Sequence, residues 1–424
     1  MKSKLVVGIV LKFSSLVIAT QLFLPGISQG QTLSATAPIS IERQTARTMF
    51  IRLTGVIPAI DSVVLDQMEA KIKAGDKVGA ANIAIADPNF LDIVVRNMAT
   101  TMSNVAEQVT DDLSDFVATV VGVTRDSLNA KELLTGNYIY TSNAAGLPID
   151  MVNDILKSNN HYAALSRMNS FASTLVKTVQ QIVDPNGLAV PHPETAGLLT
   201  SRKFGLEHLT AGTNRRAVRY TFREFLCRDI QEFADPAGPD NMISQDVDRF
   251  PAGDNAKFQA ECRSCHTMLD GMRPAFAHFD FSDNYVKNTP VLANGTAANQ
   301  INLNPTTGLV AKSYIHADVF PAGNILQNTN WVNNATRNST NANYFGWRGN
   351  TSGTGLQSFA TMVANSQSYS QCFTKRVIRS VCNRNVTGAD DGLVTTLANY
   401  FESANYNIKA LFSAVAVQPD CLGE

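Results

Sequence analysis

Cys262, Arg263, Ser264, Cys265 and His266 set two thiols around two intervening residues and place an imidazole directly after the second. This is the C-x-x-C-H arrangement. Two such thiols can add across the two vinyl groups of one haem, and the imidazole that follows then lies under the iron as an axial ligand. Cys and His number only six each in 424 residues, so chance is a poor account of the pattern. Three other chemistries use the same residue types. A redox dithiol also reads C-x-x-C, but it belongs to a strand-to-helix junction in an α/β pattern, which the flanking sequence lacks. A zinc site needs further ligands at finger spacing, and no second Cys/His pair supplies them. A plain disulfide is the third alternative. The favoured reading is one covalent haem c, attached through Cys262 and Cys265, with His266 as proximal iron ligand.

A six-coordinate haem needs a second axial group, commonly Met or His. Met268 and Met272 lie too close in sequence to reach the opposite face and are expected to pack against the ring. Met362, about 96 residues beyond His266, is the first candidate. His316 is the runner-up and His278 the third, and an open position is the alternative to all of them. His161, His192 and His208 read as surface or satisfied core histidines. Arg219 and Arg223 lie one turn apart on a basic helix expected from about Arg215 to Ile230. Their guanidinium forks suit the two haem propionates; the alternative is a solvated face paired with Glu224 and Asp229.

The N-terminus reads as a secretory signal peptide. Lys2 and Lys4 precede an apolar stretch from Leu5 to Leu24, Pro25 breaks it, and Ser28-Gln29-Gly30 offers a cleavage site, so residues 1–30 are expected to be removed. Lys12 interrupts the apolar run, which argues against an uncleaved anchor. Haem is joined to C-x-x-C-H after export, so the two signals belong together and point to the periplasm or the outer cell surface of a bacterium. About 394 residues then remain, enough for two domains. The formal net charge of −1 becomes about −4 once Lys2, Lys4 and Lys12 leave. That gives no electrostatic case for nucleic acid. No second membrane span is expected in the mature chain; the sequence names neither a redox partner nor an oligomeric state.

Four further cysteines, Cys227, Cys372, Cys382 and Cys421, leave an even remainder, which in an exported protein suggests disulfides. Cys372 and Cys382 fall in one helical stretch, where ten residues rise about 15 Å, too far for a direct bridge. The favoured partition is Cys382–Cys421 and Cys227–Cys372, with free buried thiols as the alternative.

The elements that must position these groups are mainly helices. Asp61 caps a helix ending at Gly75; Asp87-Pro88-Asn89 opens another with Phe90, Val94, Met98 and Met102 on one face. A helix is expected over 112–123 and a long one over 161–183, ended by Asp184-Pro185-Asn186-Gly187. The stretch 186–200 reads as a linker between a helical N-terminal domain (31–185) and a haem domain (201–424). Within the latter, 283–355 is rich in Asn, Thr and Gly and reads as an insertion of loops and short strands over the haem edge. Helices return over 357–379, from Asp390-Asp391, and over 408–415.

The segment Cys262-Arg263-Ser264-Cys265-His266-Thr267-Met268-Leu269-Asp270-Gly271, followed by Ala275-Phe276 and Phe279-Asp280, resembles the single-haem proteins called planctomycete-type cytochromes. Arg52-Leu53-Thr54-Gly55 with Pro58, Leu133-Leu134-Thr135-Gly136-Asn137-Tyr138, Leu226-Cys227-Arg228 and the run from Cys372 to Arg384 resemble further patches of that family. The chain departs from it at Gly271, where proline is usual, at Asn137, where Asp is usual, and in the Asn-rich insertion. The resemblance implies a largely helical, exported, haem-bearing protein and no particular reaction. Three functions fit: a one-electron carrier, a haem enzyme with an open distal face, or a surface or polymer-binding protein carrying a haem module.

Overall fold

A serine starts the first helix and a glycine stops it. Ser40 Oγ accepts the Arg43 N–H at the head of the helix Ile41–Thr54, and Gly55, at φ 74, donates its N–H to Ile51 O at the foot. A Cβ on Gly55 would also come within 2.8 Å of Ile93 Cγ2, so both conformation and space require glycine. Ala46, Met49, Phe50 and Leu53 form the buried stripe of this helix, which packs on the helices Val63–Lys73 and Lys77–Ile85. The computed structural model describes residues 39–210, 213–243, 256, 258–293, 307–310 and 324–423. The expected signal peptide, His316 and the middle of the expected insertion lie outside the described residues.

The fold is mainly α. Among the described residues the strands form four two-stranded antiparallel sheets. The expected two-domain division is not what the chain builds: residues 40–424 form one compact unit. The reason is that the C-terminal helices return to the N-terminal ones. Phe412 on the helix Ile408–Ala416 meets Phe90 edge-on at 5.0 Å, and Ser413 Oγ donates to Asn82 Oδ1 at 2.6 Å. The stretch 186–200 is part of this unit rather than a linker. Ala189–Pro191 pairs with Gln181–Val183, and Gly197–Thr200 is a buried 3-10 turn held by Gln180. Just beyond it, the buried carboxylate of Asp115 accepts the N–H groups of Arg202 and Lys203, tying the two expected domains together.

The expected helix over 161–183 also resolves differently. Only Asn160–Leu165 is α-helical. Ser170 takes a left-handed conformation, a 3-10 turn follows, and Leu175–Val179 pairs antiparallel with Tyr138–Ser142. Val176, Thr178, Val179, Ile182 and Val183 are β-branched and favour the pleated surface. Leu165, Met168, Phe171, Leu175 and Ile182 happened to fall near helical spacing. The Asp184–Gly187 segment is therefore a hairpin turn, in which Asp184 Oδ1 accepts the N–H groups of Asn186 and Leu188. Farther on, the expected single helix over 357–379 is two, Gly355–Asn365 and Gln367–Cys382. Ser366 breaks it with an extended ψ and caps the second by accepting the Tyr369 N–H.

No single helix among the described residues is long and apolar enough to cross a membrane. The segments Lys77–Ile85 and Phe90–Ser103 pass such a test only together, and they are bent by 79°.

Two buried histidines make the fold acid-sensitive. His208 is stacked on Tyr220 at 4.4 Å and sits edge-on to Phe204. Burial, then the nearby Arg216, Lys203 and Arg223 charges, push its pKa down to about 3. Burial pushes His192 down to about 4 against the pull of Glu194. Both stay neutral in the folded chain while the unfolded chain protonates below 6.5. Stability from these groups is therefore complete above that pH and declines as pH falls toward their folded values, each with a slope up to about 1.4 kcal/mol per pH unit. His208→Phe is expected to keep the aromatic stack and to flatten the loss of stability between pH 6 and 4, measured by urea unfolding at each pH.

Candidate functional site

The motif lies on a helix whose first turn is accessible and whose remainder is core. A π-helical turn, Phe258–Cys262, leads into the helix Arg263–Met272. Cys262 through His266 are half-buried, whereas Thr267 through Met272 are buried. Cys262 and Cys265 are free thiols, one turn apart, so both face the same side. Burial pushes the Cys265 thiol up, while the Arg219 charge acts the other way. His266 follows with its side chain 21 % exposed and Phe258 edge-on to the ring at 5.3 Å. The expected residues Cys262, Cys265 and His266 are thus brought to one accessible patch.

What fixes this helix is an ion pair that the sequence reading did not make. Arg215 opens the helix Arg215–Leu226 and forks onto Asp270 of the motif helix, Nε to Oδ1 and Nη2 to Oδ2, the latter at 2.7 Å. The Asp270 side chain is 0 % exposed and that of Arg215 11 %. Burial alone would raise the Asp270 pKa, but the Arg215 charge and hydrogen bonds, aided by His266 and Arg273, hold it down to about 2. Asp270 Oδ2 is also 3.8 Å from His266 Nδ1, one turn back. A carboxylate on that nitrogen is the common outer partner of a metal-bound imidazole; it fixes the ring and leaves Nε2 to the metal. The signal was present as His-x-x-x-Asp, an i, i+4 pair, beside a helix that begins with arginine.

Further contacts hold this helix and the segments around it. Asn214, in a left-handed conformation before Arg215, donates from Nδ2 to the carbonyls of Phe276 and Phe279, 2.9 Å each. Gly271 admits the strand Asn330–Val332: a Cβ there would stand 2.6 Å from Val332 O. The position where the resembling family has proline is therefore one where this chain brings its Asn-rich region against the motif helix. Asn334 Nδ2 donates to Thr267 O at 2.7 Å, and Asn341 Nδ2 donates to Phe233 O at 3.1 Å. Within the described part of the expected insertion, Trp331, Asn334 and Phe345 are buried.

The remaining expected site residues have other partners. Arg219 forks onto Asp229 at 2.6 and 2.7 Å, one of the partners expected for it, and Arg223 binds Glu107 at 2.7 Å, a residue distant in sequence. Met362 is buried on the helix Gly355–Asn365, and its sulfur accepts the Asn333 side-chain N–H at 3.4 Å. His278 Nδ1 faces the Glu194 carboxylate at 2.9 Å. Met268 and Met272 are fully buried. His161 is a satisfied core residue, with Nε2 accepting the Ser142 N–H and Nδ1 at 2.8 Å from Pro148 O. Among the described residues no group of three or more His, Cys, Asp or Glu side chains converges as a metal site. The other four cysteines form two disulfides, Cys227–Cys372 and Cys382–Cys421.

Comparison of the chain with family models, curated proteins and solved structures finds no match.

Neutralising Asp270 removes one side of a buried ion pair. Asp270→Asn is expected to destabilise the fold at neutral pH by roughly 3–5 kcal/mol, the usual cost of breaking one side of a buried pair, read by denaturant unfolding. The folded carboxyl lies below its ordinary 3.8, so its contribution is complete above that value. It is lost only as pH falls toward 2, and the Asn variant should approach wild type there.

Proposed function

We propose that this chain is an exported mono-haem c-type cytochrome that carries single electrons. The observation that carries the reading is the C-x-x-C-H sequence on the accessible first turn of a helix, two free thiols beside an imidazole whose Nδ1 side is turned to a clamped carboxylate. The donor set fits haem c: Cys262 and Cys265 would hold the vinyl carbons and His266 Nε2 the iron. Bound haem supplies a one-electron couple. The chain's own part is to seat the ring from below. Arg215 fixes Asp270, whose Oδ2 stands 3.8 Å from His266 Nδ1, one turn back on the same helix. Export accords with the two disulfides, which persist in oxidising compartments.

A second reading, a haem enzyme with an open distal face, draws on one observation: the Met362 sulfur already accepts a hydrogen bond from Asn333.

Expression in a host that matures c-type haem separates the outcomes. Wild type is expected to be coloured, to carry the mass of one haem, and to lose or weaken that attachment in Cys265→Ser. Colourless wild-type protein with no added mass would refute both readings. Rapid carbon monoxide binding to the reduced protein would select the enzyme. A filled sixth position with a Met-to-iron charge-transfer band that vanishes in Met362→Ala would select the carrier with Met362 as ligand.

A further inference from the structure

A cavity of about 380 Å³ opens beside the Cys227–Cys372 disulfide, between the end of the helix Arg215–Leu226 and the helix Gln367–Cys382. Its volume falls within the roughly 300–1,000 Å³ of small-molecule sites. Five cationic side chains line it, Arg223, Arg228, Lys375, Arg376 and Arg379, against three carboxylates, Glu107, Asp229 and Glu232. The carboxylates do not balance the cations. Asp229 is taken by Arg219, outside the lining. Glu107 alone serves two guanidiniums, Arg223 at 2.7 Å and Arg379 at 3.3 Å. Lys375 is half-buried and makes no ion pair among the described residues. Burial and then the Arg228 charge push its pKa down, while Asp391 and Glu232 act the other way. Behind the wall, Arg376 binds Glu224 at 2.8 Å, and burial pushes that carboxyl up to about 7. Its countercharge is therefore incomplete near neutral pH.

Glu107 shows what the cluster recognises. It reaches the cluster from a loop, at a residue with φ 52, and its two oxygens are divided between Arg223 and Arg379. A free oxyanion with more than one charged group could take that place and reach Lys375 as well, with guanidinium forks matching its oxygens.

We propose that this cavity is a binding site for a small multivalent oxyanion, a polyphosphate or polycarboxylate, with Lys375 as its uncommitted cation and Glu107 as an internal competitor. The site does not depend on the haem reading, because none of the residues invoked belongs to the C-x-x-C-H patch.

The test is calorimetric titration of the full chain with inorganic pyrophosphate, and in parallel citrate, at low ionic strength and pH 7. Saturable binding of either anion is expected, and the stronger of the two identifies the class. Glu107→Gln should tighten binding by fivefold or more, and Lys375→Met should weaken it by tenfold or more. Lys375→Met removes a cation from a crowded positive site and so should keep the fold, checked by its thermal transition. Lys177→Met, an exposed lysine on the strand Leu175–Val179, should leave binding unchanged. No saturable binding of either anion by wild type and Glu107→Gln would overturn the proposal. So would equal losses in the Lys375 and Lys177 variants, which would mean charge attraction without a site.

Discussion

The Arg215–Asp270 pair joins the first turn of one helix to the last turn of the next, and the seating of the motif helix depends on it. Both charges are out of water, so each would cost several kcal/mol alone, and the two-pronged geometry is what makes their burial tolerable. Hydrophobic residues of similar volume could hold the helices together as well or better. What they could not do is present a fixed carboxylate oxygen one turn from His266. The pair therefore makes sense as a device for orientation, and its energetic cost is offset by the apolar layer around it, including the fully buried Met268, Met272 and Phe276.

The C-terminal helices close on the N-terminal ones. The helices Gln367–Cys382 and Ile408–Ala416 pack on the helix Ile41–Thr54, so residues far apart in sequence share one core. The two disulfides staple this closure where it would otherwise open. Cys227–Cys372 spans 145 residues and Cys382–Cys421 spans 39, separations at which a chain-entropy account assigns on the order of 3–5 kcal/mol each. The first also sets the end of the arginine-rich helix against the helix that carries Lys375 and Arg376.

Helices with an apolar stripe, such as Val63–Lys73 and Asp391–Ser403, could be read from sequence because local preference and burial agree there, although Ser62 rather than the expected Asp61 precedes the first. Of the three possible disulfide partitions, helix rise excludes the one with a Cys372–Cys382 bridge, and tertiary packing selects Cys227–Cys372 with Cys382–Cys421 from the remaining two. The segment 161–183 was misread because five apolar residues fell near a 3.6 period while the β-branched residues among them favoured a strand. The domain boundary was misplaced because a Pro/Gly-rich composition marks a turn but does not say whether later helices return across it. In the candidate site, Cys262, Cys265 and His266 carry their chemistry in their spacing. The partners that restrain them do not. Arg215 is 55 residues from Asp270, and Asn334 is 67 residues from the Thr267 carbonyl it caps. Such pairings are fixed by tertiary geometry alone.

The helix Arg215–Leu226 shows how depth decides what a charge does. At its start Arg215 points into the core and holds Asp270. At its end Glu224 is also buried, and its partner Arg376 only partly offsets the cost of burying a carboxylate, so the proton is retained up to about pH 7. Between them Arg219 and Arg223 are a quarter to a third exposed and pair with Asp229 and Glu107. Pairs at that depth are worth little to stability, typically under about 1 kcal/mol, and can exchange partners at correspondingly small cost. Buried charges on this helix therefore serve orientation, and half-exposed ones remain available for recognition. The same twelve-residue element thus carries both Arg215, which holds the motif helix through Asp270, and Arg223, which lines the cationic cavity.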